Sequence, residues 1–385
     1  MRYVSPQPII NADSNTIKYK VPNHSPNLTL CEEEYLVEAF RSGWISSKGA
    51  FIQRFEKTLC EYVGKQYACV VSSGTAALHL ALKALNIGPG DEVIIPNLTY
   101  IAVANAVLYC GAIPVLTDVH PDYWCLDPDR IADSISEKTK AIIAVHGFGH
   151  PVDMDRIISI ANQYQIPIIE DAAQAFGARY KGRVVGSMGQ ISIHSFYTNK
   201  IITTGEGGAI ITDDPAIKAK VSLLINHCES ADMKFFHVST GYNYRITNLQ
   251  AAIGYAQMER LNQILELRNN ILSWYREELA DIPFITINPS QGWAVPVNWQ
   301  VCIKIEKRPQ DYVLSLKNHL EQSGIEIRPS FIPLCNQPSL ADISRNCSSA
   351  VSLYLCNNIL MLPSGNNLNR DDVRDICKKI KNWRT

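Results

Sequence analysis

Between Tyr67 and Thr212 the chain repeats one pattern: a short apolar run rich in branched residues, then a longer stretch of helical period. The runs are YACVVS (67–72), EVIIP (92–96), AIPVLTD (112–118), AIIAVH (141–146), IPIIED (166–171), ISIHSF (191–196) and AIIT (209–212). They are nearly continuous in apolar character, whereas a strand with one wet face alternates. Such strands must be covered on both sides. The interleaved helical stretches supply that cover, which dictates an α/β fold with a mostly parallel sheet flanked by helices.

From Ile253 to Leu279 the pattern becomes long and amphipathic, and a second group of strand and helix signals follows, including WQVCIKI (299–305) and YVLSLKNHLEQSG (312–324). The reading divides the 385 residues into an extended Pro/Asn-rich segment (1–28), a large domain (29–262) and a smaller C-terminal α/β domain (263–385).

Charge narrows the partners. With 36 basic against 37 acidic residues the formal net charge is -1, so no global field attracts nucleic acid or an anionic membrane. An anionic ligand must be held locally. The opening MRYVSPQPIINADSN lacks the pattern of a secretory signal, and no run of about 18 apolar residues follows, so the chain reads as cytoplasmic. Eleven cysteines, scattered singly with no C-x-x-C pair, argue against a disulfide framework and a structural zinc site. His146 and His150 of HGFGH gain no acidic or cysteine partner in the sequence around them, so no metal is expected.

Four stretches carry chemistry. In SSGTAALHLALKAL (72–85) a strand runs into Ser73-Gly74-Thr75 and a strong helix former. A capping serine, a small glycine and free N–H groups at a helix N-terminus suit a phosphate, although the same residues also make an ordinary capped helix. In IPIIEDAAQAFGA (166–178) Glu170 and Asp171 end an apolar strand, the edge where open α/β sheets place ligands. A carboxylate there can pair with a pyridine nitrogen, and Gln174 can hydrogen-bond a ring substituent. In SFYTNKIITTGEGGAIIT (195–212) Lys200 lies between a strand and a glycine turn; its amine can bond an aldehyde only when part of it is deprotonated, which burial favours. In STGYNYRITNLQAAIGYAQMERL (239–261) a polar loop with Asn243 precedes a helix. Trp44, Ser46, Ser47 and Lys48 in GWISSKGAFIQRFE, and Tyr100 in NLTYIA, offer further anion or stacking contacts.

Taken together and in this order, SSGTAALHLAL, GPGDEVIIPNLTY, GAIPVLTDV, KTKAIIAVHGFGHPVDMD, IIEDAAQAFGARYKG, SFYTNK with TTGEGG, and GYNYRITNLQAAIGYAQMERL resemble the DegT-type pyridoxal-phosphate sugar aminotransferases over roughly residues 30–385. The resemblance implies an aspartate-aminotransferase-like fold (PLP fold type I) and a homodimer with shared active sites. By motif, Lys200 would bond the cofactor aldehyde, Asp171 would pair with the pyridine nitrogen, Tyr100 would stack on the ring and Gln174 would approach its hydroxyl. Gly74, Thr75 and Ser195 would hold the phosphate, and Asn243 would reach it from the other subunit.

The implied reaction takes an amino group from L-glutamate, passes it through pyridoxamine phosphate and places it on a nucleotide-linked keto sugar. SGWISSKGAFIQRFE, NLTYIAVANAV, HGFGHPVDM and GYNYRITN are similar to the subgroup that aminates GDP-4-keto-6-deoxymannose for lipopolysaccharide synthesis. There Trp44, Ser46, Ser47, Lys48 and Arg328 would meet the sugar nucleotide. Cys335, where the family commonly has histidine, and Gln174, where the subgroup often has glutamate, depart from the pattern. A thymidine- or uridine-linked keto sugar, aminated at carbon three or four, and a non-catalytic cofactor- or sugar-binding regulator are the competing readings. A deoxygenating relative would carry histidine where this chain has Lys200.

Overall fold

The computed structural model describes residues 19–343 and 349–383; residues 1–18 of the expected N-terminal segment lie outside the described residues. Seven strands form the central sheet: β1 (Tyr67–Val71), β2 (Glu92–Pro96), β3 (Ile113–Thr117), β4 (Thr139–Val145), β5 (Ile168–Asp171), β6 (Ile191–Ser195) and β7 (Gly208–Thr212). Each falls on one of the apolar runs. Their order is β1-β7-β6-β5-β4-β2-β3, and β7 alone runs against its neighbours. The register sets Gly208 opposite both Val71 and Ser195, so the carboxyl ends of β1 and β6 meet at the start of β7.

Helices cover both faces, as continuous apolar strands require. Gly74–Ala84, Ala102–Tyr109 and Pro215–Leu224 pack on one side; Leu30–Arg41, Ala50–Val63 and Asn248–Glu259 pack on the other. The helix Ala50–Val63 shows why: Phe51, Phe55, Leu59 and Val63 recur every four residues and are all buried, at about 1.5–3 kcal/mol per side chain. Gly64, at φ 80°, ends it in the left-handed region that a side chain would strain.

The long amphipathic stretch read from Ile253 to Leu279 is two helices, Asn248–Glu259 and Leu261–Glu278, broken at Arg260 (φ -104°, ψ 8°). No proline or glycine marks the break; two cores do. The first helix packs on Leu30–Arg41 and Ala50–Val63, the second on Arg370–Asn382. Arg260 is tethered sideways to Glu32 Oε1 at 2.6 Å and Asn27 Oδ1 at 2.5 Å.

The second core surrounds an antiparallel sheet ordered Ile285–Ile287, Val301–Ile305, Ile359–Leu362, Arg328–Pro329. Asp118, just beyond β3, ties it to the first. Its carboxylate accepts from Val351 N (3.0 Å) and Ser352 N (2.9 Å) in the first turn of the helix Ala350–Asn358. Residues 21–23 form another tie: Val21 bridges to Ile325, and buried Asn23 donates from Nδ2 to Met361 O at 3.1 Å. No disulfide forms among the described residues.

Candidate active site

Parallel strands leave their carboxyl ends on one edge, and here β1, β2, β5 and β6 open together on a cavity of about 610 Å³. Gly74, Thr75, Tyr100, Asp171, Gln174, Ser195 and Lys200 line it from the central sheet. Trp299, Arg328, Phe331 and Met361 close it from the second sheet's side.

One corner is built for an anion. Ser73 caps the helix Gly74–Ala84, its Oγ accepting from Ala76 N at 3.1 Å, and the first intrahelical bond is Ala77 N to Ser73 O. The N–H groups of Gly74 and Thr75 precede that bond and point outward at the positive end of the helix. Space here is tight: a Cβ on Gly208 would stand 2.6 Å from the Ser73 carbonyl. The corner thus offers N–H donors beside the Thr75 and Ser195 hydroxyls, which fits a phosphate.

Asp171 ends β5 with only 3% of its surface exposed; Oδ1 accepts from Ala173 N at 3.0 Å. Burial raises its carboxyl above the ordinary range, against the Ala173 hydrogen bond and the charge of Lys200. A buried carboxylate whose ionised form lacks a full partner gains from a cation in the cavity, which a protonated pyridine nitrogen supplies. Neighbouring Glu170 faces the other way. Its oxygens accept from His146 Nε2 (3.2 Å), Gly186 N (2.8 Å) and Met188 N (2.6 Å). His146 Nδ1 accepts from Val152 N at 3.0 Å, so Nε2 carries the hydrogen. His150 is likewise spent on Pro151 O (2.7 Å) and Gln291 N (3.3 Å).

Gln174 is oriented by a fixed donor. Phe148 N–H donates to its Oε1 at 2.9 Å, so the amide NH2 is the end left for the cavity, suited to a ring oxygen. Lys200 sits half-buried in the wall with its ammonium 4.4 Å from the centroid of the Trp299 ring. Burial pulls its amine down to about 8, opposed by Asp171. Roughly a quarter of the free amine is then neutral at pH 7.5, the fraction able to attack an aldehyde. Tyr100, 58% exposed, stands at the mouth with its ring 6.3 Å from that of Phe331. Phosphate corner, buried acid, amide donor and depressed amine together fit pyridoxal phosphate.

Arg328 lines the cavity, its Nε and Nη2 bound to Glu326 Oε1 at 3.1 and 3.0 Å. Trp44, Ser46, Ser47 and Lys48 do not. Asn248 holds their loop by its main chain, donating to Trp44 O (2.7 Å) and Ser46 O (2.6 Å), and leaves Trp44 57% exposed on the protomer surface. Asn243 is also exposed and outside the cavity, accepting from Arg245 Nη2 at 3.3 Å. Cys335 exchanges hydrogen bonds with Asn97 and does not line the cavity. Trp299, Phe331 and Glu206 are site residues that the sequence reading missed. Trp299 opens a stretch read only as a strand, and its aromatic ring next to a buried run was the one available signal.

The model of the DegT/DnrJ/EryC1/StrS aminotransferase family matches residues 27–381. The GDP-perosamine synthase of Escherichia coli O157:H7 is 39% identical over 367 residues, covering 95% of this chain and 99% of that protein. The GDP-perosamine synthase of Caulobacter vibrioides is 42% identical over 321 residues, covering 83% and 86%. Among solved structures, the putative sugar aminotransferase Spr1654 from Streptococcus pneumoniae, in its PMP form, superposes with a TM-score of 0.89 at 26% identity, covering 94% of this chain and 97% of that one. The chain therefore belongs to the DegT/DnrJ/EryC1/StrS aminotransferase family, whose aminotransferases depend on pyridoxal phosphate.

Proposed function

We propose that this aminotransferase moves the amino group of L-glutamate onto carbon four of GDP-4-keto-6-deoxy-D-mannose, yielding GDP-perosamine and 2-oxoglutarate. The observation that carries the choice of sugar is the 39% and 42% identity to two GDP-perosamine synthases over most of both chains. The Arg328 guanidinium in the cavity wall supports an acceptor with a diphosphate.

In this reading the N–H groups of Gly74 and Thr75, with the Thr75 and Ser195 hydroxyls, hold the cofactor phosphate, Asp171 pairs with the ring nitrogen, and Gln174 Nε2 donates to the ring oxygen. Bound there, pyridoxal phosphate supplies an electron-withdrawing ring that stores the electron pair of a broken C–H bond and carries the amino group between substrates. Lys200 Nζ takes the α-proton of glutamate in the first half-reaction and delivers a proton to carbon four of the sugar in the second.

A homodimer in the cytoplasm is part of the proposal. The exposure of Asn243, Trp44, Ser46 and Lys48 on the isolated chain supports their facing a second copy's cavity. Among the described residues no helix is long and apolar enough to cross a membrane.

The test is incubation with pyridoxal phosphate, L-glutamate and GDP-4-keto-6-deoxymannose, with mass spectrometry of the nucleotide sugars. A GDP-amino sugar with nitrogen on carbon four by NMR is the expected product. If glutamate converts the bound cofactor but no GDP-amino sugar forms, the acceptor is wrong and the transaminase stands.

A further inference from the structure

Lys200 is free for part of every turnover, and it must then carry a proton without leaving its place. Among the described residues no carboxylate forms an ion pair with its amine. What it meets instead is the face of Trp299, at 4.4 Å from the ring centroid, where the ring quadrupole attracts an ammonium.

That indole is not free to adjust. Its Nε1 donates to Asn199 O at 2.9 Å, its main-chain N donates to Val297 O at 3.0 Å, and its carbonyl accepts from Arg268 Nη1 at 3.1 Å. The Phe331 ring stacks on it at 6.3 Å and 12°. Asn199 directly precedes Lys200, so the indole is bonded to the same loop that carries the lysine.

The groups around Lys200 explain why an uncharged holder is useful. Asp171 from β5 is the acid whose charge reaches it. His24 from the N-terminal segment is kept neutral by burial, and the nearby cations are Arg268, held by carbonyls, and Arg328, paired with Glu326. If free Lys200 paired with Asp171, it would compete with the ring nitrogen for the one carboxylate that nitrogen needs. A π face attracts the ammonium with no counter-charge and leaves Asp171 to the ring.

We propose that Trp299 is a positioning residue for Lys200: its indole face holds the free amine at the cavity wall and keeps it from pairing with Asp171. The inference rests on Lys200 being the amine that bonds the cofactor.

The experiment uses full-length protein freed of cofactor. The amine is labelled with trace acetic anhydride from pH 5.5 to 10, and the acetylated Lys200 peptide is quantified by mass spectrometry. The midpoint should lie near 8 in the unsubstituted protein. Because the π face favours the charged amine, Trp299→Leu should lower the midpoint by about 0.5–1 pH unit, with Trp299→Phe in between. If Trp299 only excludes water, its loss wets the amine and the midpoint rises; a rise or no change in Trp299→Leu overturns the proposal. Should Trp299→Leu fail to fold, Trp299→Phe decides alone, a drop of a few tenths supporting the holder and no drop refuting it. The measurement involves neither cofactor nor sugar, so its failure leaves the transaminase assignment intact.

Discussion

A Cβ added at Gly74 would stand 2.8 Å from Ser195 Cβ, closer than real side chains approach. Gly74 opens the helix that follows β1 and Ser195 ends β6, two strands brought together by β7, and both residues border the phosphate corner. Gly74→Ala should push these ends apart and weaken pyridoxal phosphate binding about 10- to 100-fold by fluorescence titration. Adding Ser195→Gly, which removes the clash, should recover part of that loss even though it deletes a hydroxyl. A double variant no better than Gly74→Ala would show that the contact is not what makes glycine necessary.

Asp171→Asn keeps the shape of the β5 terminus but removes the charge proposed to pair with a protonated ring nitrogen. The variant should still bind cofactor, while the glutamate half-reaction slows on the order of 100-fold or more in single-turnover kinetics. Near-normal rates would mean that Asp171 serves only the Ala173 turn.

Glu326 links the N-terminal segment to the cavity. One oxygen accepts from Asn23 N at 2.8 Å and the other holds Arg328. Glu326→Ala should leave the guanidinium unaimed and raise KM for the sugar nucleotide about tenfold, with kcat within about twofold. A loss confined to kcat would place Arg328 elsewhere in the cycle.

His194 is fully buried beside Ser192 and the edge of Phe176, and burial lowers its imidazole to about 4. The unfolded chain takes up that proton near 6.5, so the folded state loses stability as pH falls from about 6.5 toward 4, at up to ~1.4 kcal/mol per unit. His150, lowered to about 4, adds to the slope. Urea unfolding across this range should show a shallower decline for His194→Asn by about that amount per unit; an unchanged slope would contradict the burial of a neutral ring.

What the sequence showed and hid follows from where the information lies. The seven central strands were legible because a strand covered on both faces must be apolar along its whole length, as Ile168 to Asp171 is until its last two residues. That Lys200, Asp171, Gln174 and Gly74 line one cavity was legible because each sits in a local motif near a strand end. Trp299 and Phe331 were not. They reach the cavity from 99 and 131 residues beyond Lys200, through packing between two sheets that no local pattern encodes. The break at Arg260 was hidden for the same reason, since Glu32 and Asn27 impose it from more than 220 residues away. The loop from Trp44 to Lys48 looked like a ligand site by composition, but the main-chain bonds from Asn248 turn it away from its own cavity.

If Lys200 is the amine that bonds the cofactor, chemical reduction fixes the bond in place and reveals its position. The protein loaded with pyridoxal phosphate is treated with borohydride, digested and mapped by mass spectrometry. One phosphopyridoxyl group is expected, on Lys200, and none on a folded Lys200→Ala variant, which no longer turns over. A phosphopyridoxyl group on another lysine, or activity retained by Lys200→Ala, would contradict it.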